Sequence, residues 1–223
     1  MSWWKLGKKS NPKKDFVKEF LLKNEDKIPD IRRIDQLEFV VLDTETSGLN
    51  PEKDQILSFG AVKIWNLKIM VSESLELYPM TNTGFESSAK IHGMVGAESR
   101  IDLEEFGREL LQFLGNGILV GHHIGFDLEM LLKSLTPFGL DRFPNPVIDT
   151  LNLAIRLEHG PMADWNQINQ NDYSLDRLCT KFGIEPDDRH TAAGDALLTA
   201  QLFQKLLFKA KQKGIENFSE LVR

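Results

Sequence analysis

Phe39-Val40-Val41-Leu42 is a continuous apolar run that closes on Asp43-Thr44-Glu45 and then enters a Ser47-Gly48 turn. A run of this kind, with β-branched content, reads as a strand buried on both faces, as at the centre of a parallel or mixed sheet. Side chains alternate along a strand, so Asp43 and Glu45 leave the same face of the sheet. Two carboxylates placed together at the end of a buried element repel each other and lose hydration unless a cation neutralises them. The D-x-E spacing alone says little, because it recurs at Asp102/Glu104 and Asp127/Glu129. Context separates the three: Asp43/Glu45 closes a buried strand and runs straight into a glycine turn.

The remaining elements follow from periodicity and turn chemistry. Ile56 to Trp65 and Ile69 to Tyr78 read as two more strands, joined tightly near Asn66-Leu67-Lys68. Residues 81–100 are polar, with glycines at 84, 93 and 96. Asp102 to Leu114 has helical spacing, with Leu103, Phe106, Leu110 and Phe113 on one face. A short strand at Ile118 to Val120 precedes a helix from about Phe126 to Leu135, and Pro146 to Asp149 is a last strand before a helix from Thr150 to Leu157. His159 to Asp172 is an irregular polar loop. Ser174 is expected to cap the helix SLDRLCTKF, which stops at Gly183, and a long helix runs from about Thr191 to Lys211. Three strands followed by alternating helices and strands indicate an α/β fold: a mixed sheet with helices on both faces.

The chain has 223 residues, enough for one well-buried domain with an extension. No apolar run is long enough to cross a bilayer, and MSWWKLGKKSNPKK lacks the apolar core of a signal peptide. The single cysteine, Cys179, rules out an internal disulfide framework and reads as a small core residue on a helix. A cytoplasmic location is the default expectation. The net charge of −6 is unevenly divided: residues 1–37 carry ten Lys/Arg against six Asp/Glu, a net of +4, and the rest carries −10. An acidic body does not hold duplex DNA through phosphate neutralisation alone, but bound divalent ions reverse the local sign and let it take a short strand end. The expected division is a basic N-terminal extension over 1–36, a catalytic domain over 37–210 and a C-terminal tail over 211–223. Asp15 to Lys23 is amphipathic, and the leader is expected to be a flexible or loosely docked end. Trp3 and Trp4 beside lysines offer a membrane or partner contact as the alternative.

Two further acids stand in apolar settings: Asp127 in GHHIGFDLEML and Asp195 in RHTAAGDALLTA, with His190 five residues before the latter. Hard oxygen ligands of this kind suit magnesium or manganese, and the set points to metal-dependent cleavage of a phosphodiester bond. The H-x4-D spacing occurs at His122/Asp127, His159/Asp164 and His190/Asp195. At about 100° per residue, positions five apart on a helix diverge by about 140°. His190 must therefore project from the loop before Asp195's helix if the two work together, and the polar sequence EPDDRH supports that. No G-x-S-x-G, no histidine placed to activate Cys179 and no zinc spacing is present.

VVLDTETSGLNPEKDQILSFGAV, GHHIGFDLEML and SLDRLCTKFGIEPDDRHTAAGDALLTAQLF resemble, in order and spacing, the three motifs of the DEDDh 3′–5′ exonucleases. That group contains the proofreading epsilon subunit of bacterial DNA polymerase III. The resemblance covers roughly residues 37–210. It implies a ribonuclease H-like fold, a five-stranded mixed sheet flanked by helices, and two divalent cations, Mg2+ or Mn2+. By resemblance, Asp43 bridges both ions, Glu45 and Asp195 complete the site that holds the attacking water, Asp127 anchors the second ion and His190 is the general base. Thr46 and Leu49 are implied to approach the last base or sugar, and His92 to lie near the terminal nucleotide, with a loop-stabilising role as its alternative. The family usually has His-Asn where this chain has His122-His123; His123 is expected to hold the loop and not to ligate metal. Asp149 reads as a helix N-cap or loop anchor, and Gln201-Leu202-Phe203 as core residues and not a clamp-binding peptide. The expected activity is release of nucleoside monophosphates from single-stranded or frayed DNA 3′ ends, with a polymerase as the implied partner. RNA trimming by the same chemistry is the alternative, and a non-catalytic nucleic-acid-binding module is disfavoured because all four carboxylates and the histidine are present.

Overall fold

Strand β1 (Phe39–Thr46) lies at the centre of a five-stranded sheet in the order β3-β2-β1-β4-β5. The computed structural model describes residues 11–80, 100–186 and 189–222. Strand β2 (Ile56–Trp65) pairs antiparallel with β1 and with β3 (Lys68–Leu77). Strands β4 (Ile118–Gly121) and β5 (Val147–Asp149) extend the other side in parallel. Asn66 and Leu67 form the β2–β3 turn with φ of 50° and 60°. Positive φ at both central residues is what a two-residue hairpin needs to match strand twist.

The alternation of β1 sorts its side chains between two cores. Phe39 and Val41, with Val62 and Ile64 of β2, pack with α4 (Thr150–His159), α5 (Leu175–Phe182) and α6 (Ala192–Gln212). Val40 and Leu42, with Phe59 and Ala61, pack with α1 (Asp15–Lys23), α2 (Leu103–Leu114) and α3 (Gly125–Leu135). All four β1 residues are 0% exposed, as a central strand covered on both faces requires. This is the five-stranded mixed sheet flanked by helices expected of a ribonuclease H-like fold. Among the described residues, no helix is long and apolar enough to cross a membrane.

The caps position the site. Thr191 accepts from Gly194 N at 3.1 Å to start α6, and Asp149 accepts from Leu151 N at 2.9 Å to start α4, the capping role expected of it. Gly183 ends α5 in the left-handed region, as expected. Ser174 does occupy the N-cap position of α5, but its hydroxyl makes no capping bond; the first-turn Asp176 there faces Arg189 instead. Leu202 and Phe203 are fully buried in α6, consistent with core residues. Cys179 is buried and its thiol is pushed up to about 11 by burial, the opposite of an activated nucleophile.

The expectation of a loosely docked leader is corrected for its described part, residues 11–36; Trp3 and Trp4 lie outside the described residues. Helix α1 buries Phe16, Val17 and Phe20 in the core shared with α2 and α3, each apolar side chain worth about 1.5–3 kcal/mol when covered. Lys14 N donates to Phe138 O at 3.0 Å, anchoring its start. Downstream, Ile34 N donates to Glu216 O and Phe218 N to Arg32 O, so the leader and the chain's last turn, α7 (Phe218–Val222), hold each other with Leu221 buried beneath. The polar loop at 159–172 is also more ordered than expected. It contains two short 3-10 turns, Trp165–Gln167 and Gln170–Tyr173, and His159 Nε2 meets Tyr173 Oη at 2.7 Å.

Candidate metal centre and active site

Asp43 and Glu45 point from the α6 face of β1, and Asp195 descends onto them from the first turn of α6. One ligand oxygen from each of the three lies within 4.8 Å of the other two. The close approach depends on Gly60, which stands opposite Asp43 in the β1–β2 register. A Cβ there would overlap the carbonyl carbon of Ala192 and the nitrogen of Ala193. A glycine inside a strand often marks such a contact between backbones. Beyond Asp43 the β1–β2 register shifts between Glu45 and Thr46, a bulge of the kind that re-aims side chains beside sites.

The cluster is electrostatically costly. Burial and then the charges of Asp127, Asp195 and Glu45 hold the Asp43 carboxyl well above the usual carboxylate range, against a smaller downward pull from Arg189. Three hard oxygen donors on one spot, one of them resisting ionisation, fit a divalent cation, which would favour the charged forms.

Asp127 reaches the same strand end from the opposite face. It lies in the first turn of α3, and its Oδ1 accepts from Thr44 N at 2.9 Å and from Thr44 Oγ1 at 2.6 Å. It stands outside the three-acid group, yet close enough to raise Asp43. Burial lifts its own carboxyl to about 6, although both bonds from Thr44 oppose the rise. Thr44, the middle residue of the D-x-E pattern, was not singled out by sequence; its even register on β1 is the signal that points it towards α3.

His190 sits in the turn before α6, as the helical-wheel argument requires, with φ of 66° and an exposed side chain. Its backbone N donates to Asp195 Oδ2 at 3.3 Å. The preceding residue, Arg189, escaped the sequence reading altogether. Its Nη1 pairs with Asp195 Oδ1, and its Nε lies 2.8 Å from Asp176 Oδ1.

Thr46 ends β1 and its Oγ1 donates to Gly48 O at 2.8 Å, while Leu49 is 87% exposed on the following turn. That turn is fastened by Asp54, which accepts from Ser47 Oγ at 2.9 Å and Asn50 N at 2.8 Å. His92 lies outside the described residues. His122 Nδ1 meets Thr150 Oγ1 at 2.9 Å, and burial lowers its pKa to about 4, which leaves the ring neutral. His123 has φ of 58°, and its backbone N donates to Asp149 Oδ1 at 3.3 Å. Asn and His are both enriched at positive φ, which gives the His-His variant of the motif a backbone reason.

The sequence model of the exonuclease family, RNase T, matches residues 40–203. A PolC-type DNA polymerase III of Thermotoga petrophila is 37% identical over 188 residues, covering 82% of this chain and 13% of that protein. The DNA polymerase III subunit epsilon of Aquifex aeolicus is 30% identical over 191 residues, covering 83% of this chain and 88% of that protein. The chain thus spans a small part of the PolC-type relatives and most of the Aquifex subunit. Escherichia coli exonuclease I in complex with a dT13 oligonucleotide matches with a TM-score of 0.61 at 18% identity, over 80% of this chain and 43% of that one, a likeness of fold. The chain belongs to the RNase T exonuclease family.

Proposed function

We propose that this chain is a metal-dependent 3′–5′ exonuclease that releases nucleoside monophosphates from single-stranded or frayed DNA ends. The observation that carries the reading is the convergence of Asp43, Glu45 and Asp195 within 4.8 Å, with Asp127 against the same strand end. Asp43, Glu45 and Asp195 would hold one divalent ion, and Asp127 together with Asp43 a second, Mg2+ or Mn2+. Bound there, such ions supply charge neutralisation of the scissile phosphate and an acidified water. His190 takes the proton of the attacking water as its oxygen bonds to phosphorus, while the P–O3′ bond breaks and the leaving oxygen takes a proton from solvent water. Histidine is the side chain most often used as a general base. Leu49, a large exposed apolar residue four positions beyond Glu45, and Thr46 are the proposed contacts of the terminal nucleotide, with His92 the third. Residues 37–210 would form the catalytic domain, acting in the cytoplasm and in association with a polymerase, as the kinship with epsilon and PolC proteins supports.

The test presents matched, end-labelled single-stranded DNA and RNA to the purified protein with and without manganese. Stepwise loss of mononucleotides from the 3′ end of DNA, only with metal, is expected. Release from RNA alone would move the substrate class, and metal-independent release would remove the mechanism.

A further inference from the structure

The arginine beside the carboxylate cluster has two acidic partners on two different helices. Arg189 Nη1 pairs with Asp195 Oδ1 on α6, and Nε lies 2.8 Å from Asp176 Oδ1 on α5. The guanidinium is largely covered, with 21% of the side chain exposed, and Asp195 is more so at 10%; Asp176 is open at 64%. The second oxygen of Asp195 accepts from His190 N at 3.3 Å. Asp195 is therefore engaged on both oxygens, one of them by a full positive charge, while it also stands among the three acids that converge.

We infer that Arg189 is a resident counter-charge that competes with a divalent cation for Asp195, and that Asp176 is the second seat that retains the guanidinium when the cation takes that carboxylate. The inference rests on the metal-site reading given under Proposed function. Its physical basis is simple. A cation and a guanidinium on one nearly buried carboxylate repel at short range, where solvent screens least. Arg189 also draws Asp43 downward against its acidic neighbours, so its charge reaches the shared centre as well as Asp195. Because Asp176 holds the guanidinium through Nε, the Nη1 contact can be given up without leaving the arginine unpaired. Such an arrangement keeps the acids from repelling one another and sets the metal affinity below what the carboxylates alone would reach. A residue that only pinned the His190 turn would act in the other sense, since its loss would loosen Asp195 and weaken metal binding.

The test is manganese uptake by the full chain at neutral pH, read from the loss of the free-ion signal in electron paramagnetic resonance, with no substrate present. Arg189→Gln should bind Mn2+ on the order of tenfold more tightly than the wild type, the effect of removing one nearby like charge. Asp176→Asn should bind severalfold more weakly, because the guanidinium is left with Asp195 as its acidic partner. In the Arg189→Gln background, Asp176→Asn should then change nothing. Arg177→Gln removes the same charge from an exposed guanidinium paired with Asp172, and should stay within about twofold of the wild type. Unchanged or weaker uptake by Arg189→Gln would overturn the inference, as would an Asp176→Asn effect that survives without the arginine. Should Arg189→Gln fail to fold, the exposed Asp176→Asn decides alone: unchanged or tighter binding contradicts the competition. Asp43→Asn separates the two readings. If it abolishes the uptake seen in the wild type, the metal site stands whichever way the arginine variants fall; if the wild type takes up no Mn2+, both readings fall.

Discussion

On the α6 face of strand β1, Asp43, Glu45 and Asp195 converge, with Asp195 held by Arg189 and by the backbone N–H of His190. On the α3 face of the same strand end, Asp127 receives two hydrogen bonds from Thr44 at 2.6 and 2.9 Å. The first group is organised by backbone packing, through the Gly60 contact with α6, and burial and the neighbouring acids hold Asp43 above the usual carboxylate range. The second is organised by hydrogen bonds and is largely complete within the protein. In the proposed metal site the two would do different work: the α6 face would supply the affinity for cations, and the α3 face a carboxylate of set direction beside them.

The largest expected effect comes from removing the acid common to both groups. Asp43→Asn should lower nucleotide release by about a thousandfold or more. It should also stabilise the metal-free fold by about 1–2 kcal/mol, because it deletes a repelled, buried charge. Steady-state rates and chemical denaturation check the two halves, and a destabilised Asp43→Asn would mean that the acids are not in conflict.

Gly60→Ala tests the packing that builds the α6 group. Its Cβ has no space against Ala192, so α6 must shift, at a cost of about 2–3 kcal/mol and most of the activity. Full activity in that variant would separate the site from the close approach. Thr44→Val tests the other face. It removes the hydroxyl donor but keeps the backbone N–H, which should cost about 1 kcal/mol, raise the Asp127 carboxyl further and reduce kcat about tenfold.

The pH dependence sharpens the same contrast. Asp127 titrates at about 6 in the folded chain, above the value near 4 of an unfolded aspartate, so the folded state binds the extra proton between them. Its contribution to stability is present below the unfolded value and is lost as pH rises through about 6. Asp127→Asn should therefore raise the metal-free Tm by roughly 2–6 °C above pH 6, with the gain vanishing as the pH falls towards 4. A gain of equal size across the range would show that the charge is not its source. The smallest effect is expected at Leu49: its side chain is 87% exposed, so Leu49→Ala should leave Tm unchanged and raise KM a few fold.

Much of this molecule is written in local periodicity. The apolar run before Asp43, the hairpin at Asn66-Leu67, the start of α6 near Thr191 and the Asp149 cap each depend on neighbours within a few residues. They emerged close to where the sequence placed them. The convergence of Asp43, Glu45 and Asp195 was expected through motif order, since no local rule brings residues 43 and 195 together. Helix α1 was misjudged because its buried side is only Phe16, Val17 and Phe20, and its partner α2 lies far along the chain. Arg189 was invisible for a related reason: a cation in a polar turn reads as solvated until the turn is folded against two helices. Gly60 was legible in principle as a glycine inside an apolar strand, and so was Thr44, from its register.

The most direct measurement is anomalous diffraction from crystals of the wild-type chain soaked in manganese. Peaks about 2.2 Å from oxygens of Asp43, with Glu45 and Asp195 around one of them, are the expected result. A crystal in which manganese binds elsewhere, or in which the three carboxylates stay bare at saturating metal, would contradict the central claim that they form a cation site.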